Sequence, residues 1–127
     1  MTWNFHQATG AINRPDGTLA DTAYSGGDGG LFPEGVNNPA FETIQNKGPL
    51  PQGFYTIGEP IDHTRLGPFA MPLTPDMDNE MFGRGSFYLH GDNEHMNHSG
   101  SDGCIVVDPQ TRHEIWNSDD HRLQVIA

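Results

Sequence analysis

The chain has 127 residues and a formal net charge of −11, with 17 Asp and Glu against 6 Lys and Arg. This length suits one domain with its own core, and we predict a single domain over residues 1–127. The acidic balance disfavours nucleic acid and anionic membranes as partners, and no apolar run approaches the ~20 residues of a membrane span. One cysteine excludes an internal disulfide, and 16 Gly with 10 Pro indicate many turns.

The predicted elements, in chain order, are mostly short strands. Alternating or branched apolar residues predict strands at 3–7, 18–24, 54–58, 86–90, 104–107 and 122–126. Asn38 before Pro39 predicts a short helix through residue 44, and Asp108 before Pro109 predicts a second through about residue 117. No strand is predicted within 59–85, which is rich in Pro, Asp and Met. These elements predict a mainly β fold with one or two short helices.

The single thiol is the first candidate for chemistry. Cys104 ends a Ser-Asp-Gly-Cys sequence and precedes an Ile-Val-Val run, which is a context suited to a nucleophile. A thiol attacks well only as thiolate, so it needs a base or a positive field. His90 ends the apolar strand before it, so an imidazole at the sheet rim is the candidate base. The N–H groups of Gly103 and Cys104 could form an oxyanion hole.

A third group is expected to orient the imidazole of His90. The candidates are the side chains of Asp92, Ser99 and Ser101 and the backbone carbonyl of Gly91. The sequence leaves this choice open.

Two other interpretations compete with the thiol enzyme. His90, His95 and His98 fall within nine residues, and with Cys104 they could bind zinc in a hydrolase. The spacing matches no helical zinc motif, and we predict no metal and no other cofactor. Alternatively, Cys104 is a small buried apolar residue in a non-catalytic module. Arg84, just before the His90 strand, could hold a substrate carboxylate through its bidentate guanidinium.

Six motifs in order resemble a known family. They are Tyr-Ser-Gly at 24–26, Asn-Pro at 38–39, the Gly-Pro-Leu-Pro-Gln-Gly-Phe-Tyr run at 48–55, Arg84, His-Gly-Asp at 90–92 and Ser-Asp-Gly-Cys-Ile at 101–105. The set resembles L,D-transpeptidases of the YkuD type, and more closely the L,D-transpeptidase-like toxins delivered by type VI secretion systems. YkuD enzymes usually carry His before the Gly-Cys pair and Arg or Asn two residues after the Cys. Asp102 and Val106 occupy those places here, which favours the toxin-like branch.

The resemblance implies a YkuD-like β-sandwich or partly open barrel that acts on peptidoglycan. The two competing interpretations then become a zinc hydrolase of cell-wall peptides and a non-catalytic wall-binding module. Cys104 would attack the bond between an L-centre and D-Ala in a tetrapeptide stem, with His90 as base. Water would complete an L,D-carboxypeptidase reaction, and an amine would complete an L,D-transpeptidase reaction. In this interpretation Arg84 and Tyr24 bind substrate, and Gly103, Ser101, Gly91 and Asp92 stabilise the oxyanion or orient the base.

The same resemblance implies partners and a location. Peptidoglycan stem peptides would be the substrate, and a periplasmic immunity protein would protect the producer. A component of the secretion machine or a chaperone is a further expected partner. Because residues 1–6 have neither a basic nor an apolar leader region, we expect synthesis in the cytoplasm without a signal peptide. Export would then deliver the protein to the periplasm of target bacteria.

Overall fold

A computed structural model of the chain describes residues 1–91 and 103–127 and is mainly β. Its strands are β1 (Trp3–His6), β2 (Ala11–Asn13), β3 (Leu19–Thr22), β4 (Tyr24–Ser25), β5 (Gly53–Ile57), β6 (Ile61–His63), β7 (Gly67–Pro75), β8 (Phe87–His90), β9 (Ile105–Val106) and β10 (Arg122–Ile126). The helical elements are α1 (Pro109–Asn117) and the short 3₁₀ turns Asp28–Gly30, Pro33–Gly35 and Pro39–Phe41. No helix among the described residues is long and apolar enough to span a bilayer.

The strands form one strongly curved sheet in the order β3-β2-β1-β10-β5-β7-β8-β9-β4, with β6 paired to β7. The pairs β1–β10 and β8–β9 are parallel, and the remaining pairs are antiparallel. Only Ala23 separates β3 from β4 in the chain, although these strands lie at opposite ends of the order. The sheet therefore curls until its edges nearly meet, which confirms a mainly β, barrel-like fold.

Alternating side chains place the core inside this curved sheet. Trp3 and Phe5 of β1 are buried and stand opposite Leu123 and Val125 of β10 in register. Since successive residues of a strand face opposite sides, this register directs both apolar sets inward. The core also includes Tyr55, Met71, Leu89, Ile105 and Ile115.

Most predicted elements are confirmed, two of them need correction, and β2, β6 and β7 were not predicted. The predicted strand at 18–24 is two strands, β3 and β4, at opposite edges of the sheet. The short helix predicted after Asn38 begins where expected but is a 3₁₀ helix that ends at Phe41 rather than at residue 44. Asn38 does cap this turn, with its side-chain oxygen accepting from the Ala40 N–H at 3.0 Å. The carbonyl of Glu42, the residue after this turn, accepts from Arg84 Nη1 at 2.6 Å.

The longest strand lies in the segment where no strand was predicted. β7 contains Pro68, Pro72 and Pro75, and proline is usually confined to edges because it lacks an N–H. β7 nevertheless lies between β5 and β8. Its prolines still offer carbonyl acceptors: Pro72 accepts from the Gly58 N–H at 2.8 Å, and Pro68 accepts from Arg112 at 2.9 Å.

Candidate active site

The parallel pair β8–β9 brings the candidate nucleophile beside the strand of the candidate base. His90 stands opposite Val106, and Cys104 lies two residues before Val106. The Cys104 sulfur accepts from the Tyr88 N–H at 3.3 Å and lies 3.9 Å from the Ser86 carbonyl oxygen. The sulfur is therefore held against β8 at Tyr88, which lies two residues before His90 in the same strand. Both side chains are buried, at 3% and 2% exposure.

The candidate base is oriented by the backbone carbonyl of the residue that follows it. The His90 Nδ1 atom lies 2.7 Å from the carbonyl oxygen of Gly91. A carbonyl only accepts, so this contact places the proton on Nδ1 and makes Nε2 the nitrogen that can take a proton. Among the candidate orienting groups, Asp92, Ser99 and Ser101 lie outside the described residues, and their roles stay predictions.

Gly103 is held in a conformation that suits glycine. Its φ is +142°, and a Cβ there would lie 2.6 Å from Arg84 Nη2 and 2.9 Å from the Phe87 ring. A side chain at position 103 would therefore clash with Arg84 and Phe87 and shift the backbone next to Cys104. The assignment of Gly103 to the oxyanion hole stays a prediction.

Ser25 of β4 fixes Gly103 from the other side, a role that the sequence analysis missed. Its hydroxyl donates to the Gly103 carbonyl at 3.0 Å and accepts from the Leu50 N–H at 2.9 Å. Ser25 is fully buried and stands opposite Ile105. The Tyr-Ser-Gly motif was the available signal. The hydroxyl links the proline-rich loop at 48–53 to the backbone just before the thiol.

Tyr24 lies in the same row of side chains as the base. It stands opposite Val106, which in turn stands opposite His90. Residues in register across neighbouring strands share a face, so Tyr24 projects on the His90 face, two strands away. Its side chain is buried at 6% exposure. Its role in substrate binding stays a prediction.

Arg84 is buried against the thiol loop. Its Nη1 donates to the carbonyls of Glu42 at 2.6 Å and Pro49 at 2.8 Å, and its Nη2 donates to Gly48 at 3.0 Å. The guanidinium also lies 5.4 Å from the centre of the Phe87 ring. A permanent positive charge is therefore held beside Gly103 by the loop at 42–49. Substrate binding by Arg84 stays a prediction.

Arg112 of α1 is a second buried cation, and the sequence offered no signal for it. It donates to the carbonyls of Val107 at 3.1 Å and of Pro68 and Phe69 at 2.9 Å each. A Cβ on Gly91 would lie 2.9 Å from its Nη2. Burial lowers the pKa of Arg112, and the nearby Asp108 opposes this shift. Arg112 thus ties α1 to Val107 and to β7, and its guanidinium lies close to Gly91, the residue after His90.

A cavity of about 250 Å³ lies at the start of β8. Its lining includes Gln45, Asn46, Arg65, Arg84, Ser86 and Phe87. One lining residue, Ser86, connects the cavity to the candidate nucleophile, since its carbonyl oxygen lies 3.9 Å from the Cys104 sulfur. Two of the six basic residues of the chain line it, in a protein of net charge −11. The cavity therefore suits an anionic group.

Residues 1–91 and 103–127 contain no group of three or more His, Cys, Asp and Glu side chains placed to hold a metal ion. The zinc interpretation depends on His95 and His98, which lie outside the described residues. The structure therefore leaves that interpretation untested.

Comparison with known proteins assigns the family. No curated protein and no solved structure matched the chain. A family model described as the Tlde1 domain matches residues 20–127, a span that holds Tyr24, Ser25, Arg84, His90 and Cys104. The chain therefore belongs to the Tlde1-domain family, and its Tlde1 domain is a type VI secretion effector domain.

Proposed function

We propose that the protein is an antibacterial effector that cleaves or exchanges the end of peptidoglycan tetrapeptide stems as a cysteine L,D-carboxypeptidase or L,D-transpeptidase. The observation that carries this proposal is the pairing of β8 with β9. This pairing holds the Cys104 sulfur at the N–H of Tyr88, which lies two residues before His90 in β8. The Nδ1 atom of His90 is in turn fixed by the Gly91 carbonyl. Membership of a type VI secretion effector family makes bacterial cell wall a fitting target.

In the first half of the reaction, His90 Nε2 takes the thiol proton of Cys104. The Tyr88 N–H donates to the sulfur, and the charge of Arg84 lies beside Gly103, so both favour the thiolate. The sulfur attacks the carbonyl between the L-centre and D-Ala, and the N–H groups of Gly103 and Cys104 receive the oxyanion. The C–N bond then breaks, His90 returns its proton to the D-Ala amine, and a thioester remains.

In the second half, an acceptor resolves the thioester. His90 takes a proton from water or from an amine, and that nucleophile attacks the thioester carbonyl. The C–S bond breaks and the thiolate of Cys104 recovers the proton. Water yields the free tripeptide acid, whereas a D-amino acid or a second stem yields an amide. The ratio of these products separates carboxypeptidase from transpeptidase activity.

The test is incubation of the purified protein with disaccharide-tetrapeptide muropeptides, followed by mass spectrometry. We expect release of D-Ala, tripeptide products and, in acid-quenched samples, a stem acyl adduct on Cys104. Added D-amino acid should appear in the product if exchange competes with hydrolysis. Turnover by Cys104→Ala at the wild-type rate would contradict the proposal. Loss of activity with chelator and recovery with Zn²⁺ would support the zinc hydrolase instead.

The proposed site of action is the periplasm of a target cell. Cytoplasmic expression should be tolerated, whereas fusion to a secretion signal should cause swelling or lysis that depends on Cys104. A producer would need a periplasmic immunity protein, and we expect that protein to cover the region between His90 and Cys104. Harmless periplasmic expression with unchanged muropeptides would contradict the toxin role.

A further inference from the structure

We propose that the cavity at the start of β8 is a carboxylate-binding subsite in which Arg65 makes the direct contact, so that the enzyme selects stems carrying a free carboxylate near the scissile bond. This inference rests on the proposed function and names a residue that the motif analysis did not. It is carried by the arrangement of basic side chains, the placement of the Arg65 turn and the composition of the cavity wall.

The basic side chains divide by what they contact. Three are exposed or half-exposed and form ion pairs: Arg14 with Glu114, Lys47 with Asp28 and Arg122 with Asp76. Arg84 and Arg112 are buried and bond to backbone carbonyls. The side chain of Arg65 is exposed and makes no hydrogen bond or ion pair with another residue of the ranges 1–91 and 103–127. Among the basic residues of these ranges, Arg65 is therefore the one that lines the cavity and whose charged group can bind a ligand.

The turn that carries Arg65 is anchored to the candidate active site. It connects β6 to β7, and His63 Nδ1 accepts from the backbone N–H groups of Arg65 and Leu66 at 3.1 Å each. The His63 ring packs edge-on against Tyr88, with 5.0 Å between ring centres. Tyr88 also donates its N–H to the Cys104 sulfur. One chain of contacts therefore sets the position of the Arg65 backbone relative to the thiol.

Among residues 1–91 and 103–127, the side chains that line the cavity offer donors and include no carboxylate. Arg65 and Arg84 are its cations, Gln45 and Asn46 supply amides, and the remaining lining residues are Gly85, Ser86 and Phe87. Its volume of about 250 Å³ is below the ~300–1,000 Å³ of most small-molecule pockets, so it suits one residue of a stem. Guanidinium groups bind carboxylates through paired, charge-assisted hydrogen bonds. With Arg84 committed to carbonyls of the 42–49 loop, Arg65 is the side chain that can adapt to the ligand.

A tetrapeptide stem offers carboxylates on both sides of the scissile bond. One is the terminal carboxylate of D-Ala, and the others lie on residues before the bond. Substrates amidated at one position at a time separate these sources. The wild-type enzyme should lose efficiency only on the stem whose recognised carboxylate is amidated.

The decisive experiment measures steady-state kinetics of Arg65→Gln on free and singly amidated stems. On the free stem we expect kcat/KM to fall roughly 10- to 100-fold, mainly through KM, as for the loss of hydrogen bonds to a charged group. On the stem that lacks the recognised carboxylate, wild type and variant should be equal. Arg65→Lys should recover part of the loss. Arg14→Gln, which removes an exposed arginine paired with Glu114, is the matched control and should match wild type on every stem.

An equal loss on free and amidated stems, or no loss at all, would overturn the subsite. If the wild-type protein turns over no stem, the proposed function fails, and the subsite is then tested by calorimetry with Cys104→Ala. A preference for the free stem over its amidated forms that disappears in the Arg65→Gln, Cys104→Ala double variant would support the subsite. Equal affinity for all the stems would overturn it.

Discussion

The arginines of the two sides of the barrel differ in what they contact. On the side formed by β1, β10 and β5, Arg122 is partly exposed and pairs with Asp76, and in the turn after β2 the partly exposed Arg14 pairs with Glu114 of α1. On the side of β8 and β9, Arg84 and Arg112 are buried and donate to backbone carbonyls. The first side is shaped by apolar side chains in register. The second side, which carries Cys104, also has apolar residues in register, such as Leu89 opposite Ile105, and adds polar contacts to irregular loops.

This difference predicts which contacts matter. Exposed ion pairs are screened by water and salt, and they contribute little to the free energy of unfolding. A buried guanidinium that satisfies several carbonyls leaves each of them unpaired when it is removed. The candidate active site should therefore be sensitive to single polar substitutions that the opposite side tolerates.

The largest effect should come from the two reactive side chains. We expect Cys104→Ala and His90→Ala each to lower kcat on tetrapeptide stems by about three orders of magnitude or more, because thiolate attack is lost. His113→Ala is the matched control for His90, since His113 Nδ1 also lies 2.7 Å from a carbonyl oxygen but on the exposed surface of α1. Muropeptide kinetics and circular dichroism check activity and fold. Comparable losses in the two histidine variants would contradict the assignment.

The buried and exposed arginines can be compared by stability. Arg84→Met removes the donor for the carbonyls of Glu42, Gly48 and Pro49, and we expect it to lower the free energy of unfolding by about 3 kcal/mol or more. Arg122→Met, the exposed counterpart, should stay close to wild type. Urea titration at neutral pH measures both. If Arg122→Met is as damaging as Arg84→Met, the comparison between the two sides fails.

Ser25 should connect stability to activity. Ser25→Ala leaves the Gly103 carbonyl and the Leu50 N–H without the bridging hydroxyl, at a cost of about 1–3 kcal/mol in unfolding free energy. Because Gly103 precedes the thiol, kcat should fall as well. Ser118→Ala is the control: that hydroxyl also donates to a carbonyl and accepts from Trp3 Nε1, but away from Cys104. A similar stability loss with unchanged kcat is expected for Ser118→Ala. The same kinetic result for Ser25→Ala would reduce its role to stability alone.

The sequence predicted best those parts of the fold that depend on residues close together in the chain. Alternation marked β1, β5, β8 and β10, and Asp108 with Pro109 marked the start of α1, where the Asp108 carboxylate accepts from Gln110 N–H at 2.7 Å. β7 was missed because its prolines oppose a strand assignment locally, whereas pairing with strands on both sides stabilises it. The split of 18–24 into β3 and β4 follows from closure of the sheet, which no local pattern encodes.

The candidate site divides in the same way. His90 and Cys104 could be named because each ends or begins an apolar run, and the parallel pairing of those runs brings them to neighbouring strands. The hydrogen bond from Ser25 to Gly103 joins residues 78 positions apart in the chain, and the one from Arg112 to Pro68 joins residues 44 positions apart. Neither contact therefore has a local sequence signature. The Gly91 carbonyl could not be selected among the candidates, since every residue offers a backbone acceptor.

The smallest effect should come from Asp76→Asn, which should make the free energy of unfolding less sensitive to acid. Arg122 donates to both carboxylate oxygens of Asp76, at 2.8 and 2.7 Å, and these hydrogen bonds hold the pKa of Asp76 below its ordinary value. Since the folded-state pKa is the lower one, the stabilisation is complete above the unfolded pKa of about 3.9 and is lost as pH falls through the folded pKa. Asp76→Asn should therefore be slightly less stable than wild type at about pH 7, and the gap should close by about pH 2. Urea midpoints at both pH values measure this, and added salt should narrow the neutral-pH gap because the pair is exposed to solvent. A gap that stays constant with pH would mean that Asp76 acts through its backbone turn with Asn79 rather than through its charge.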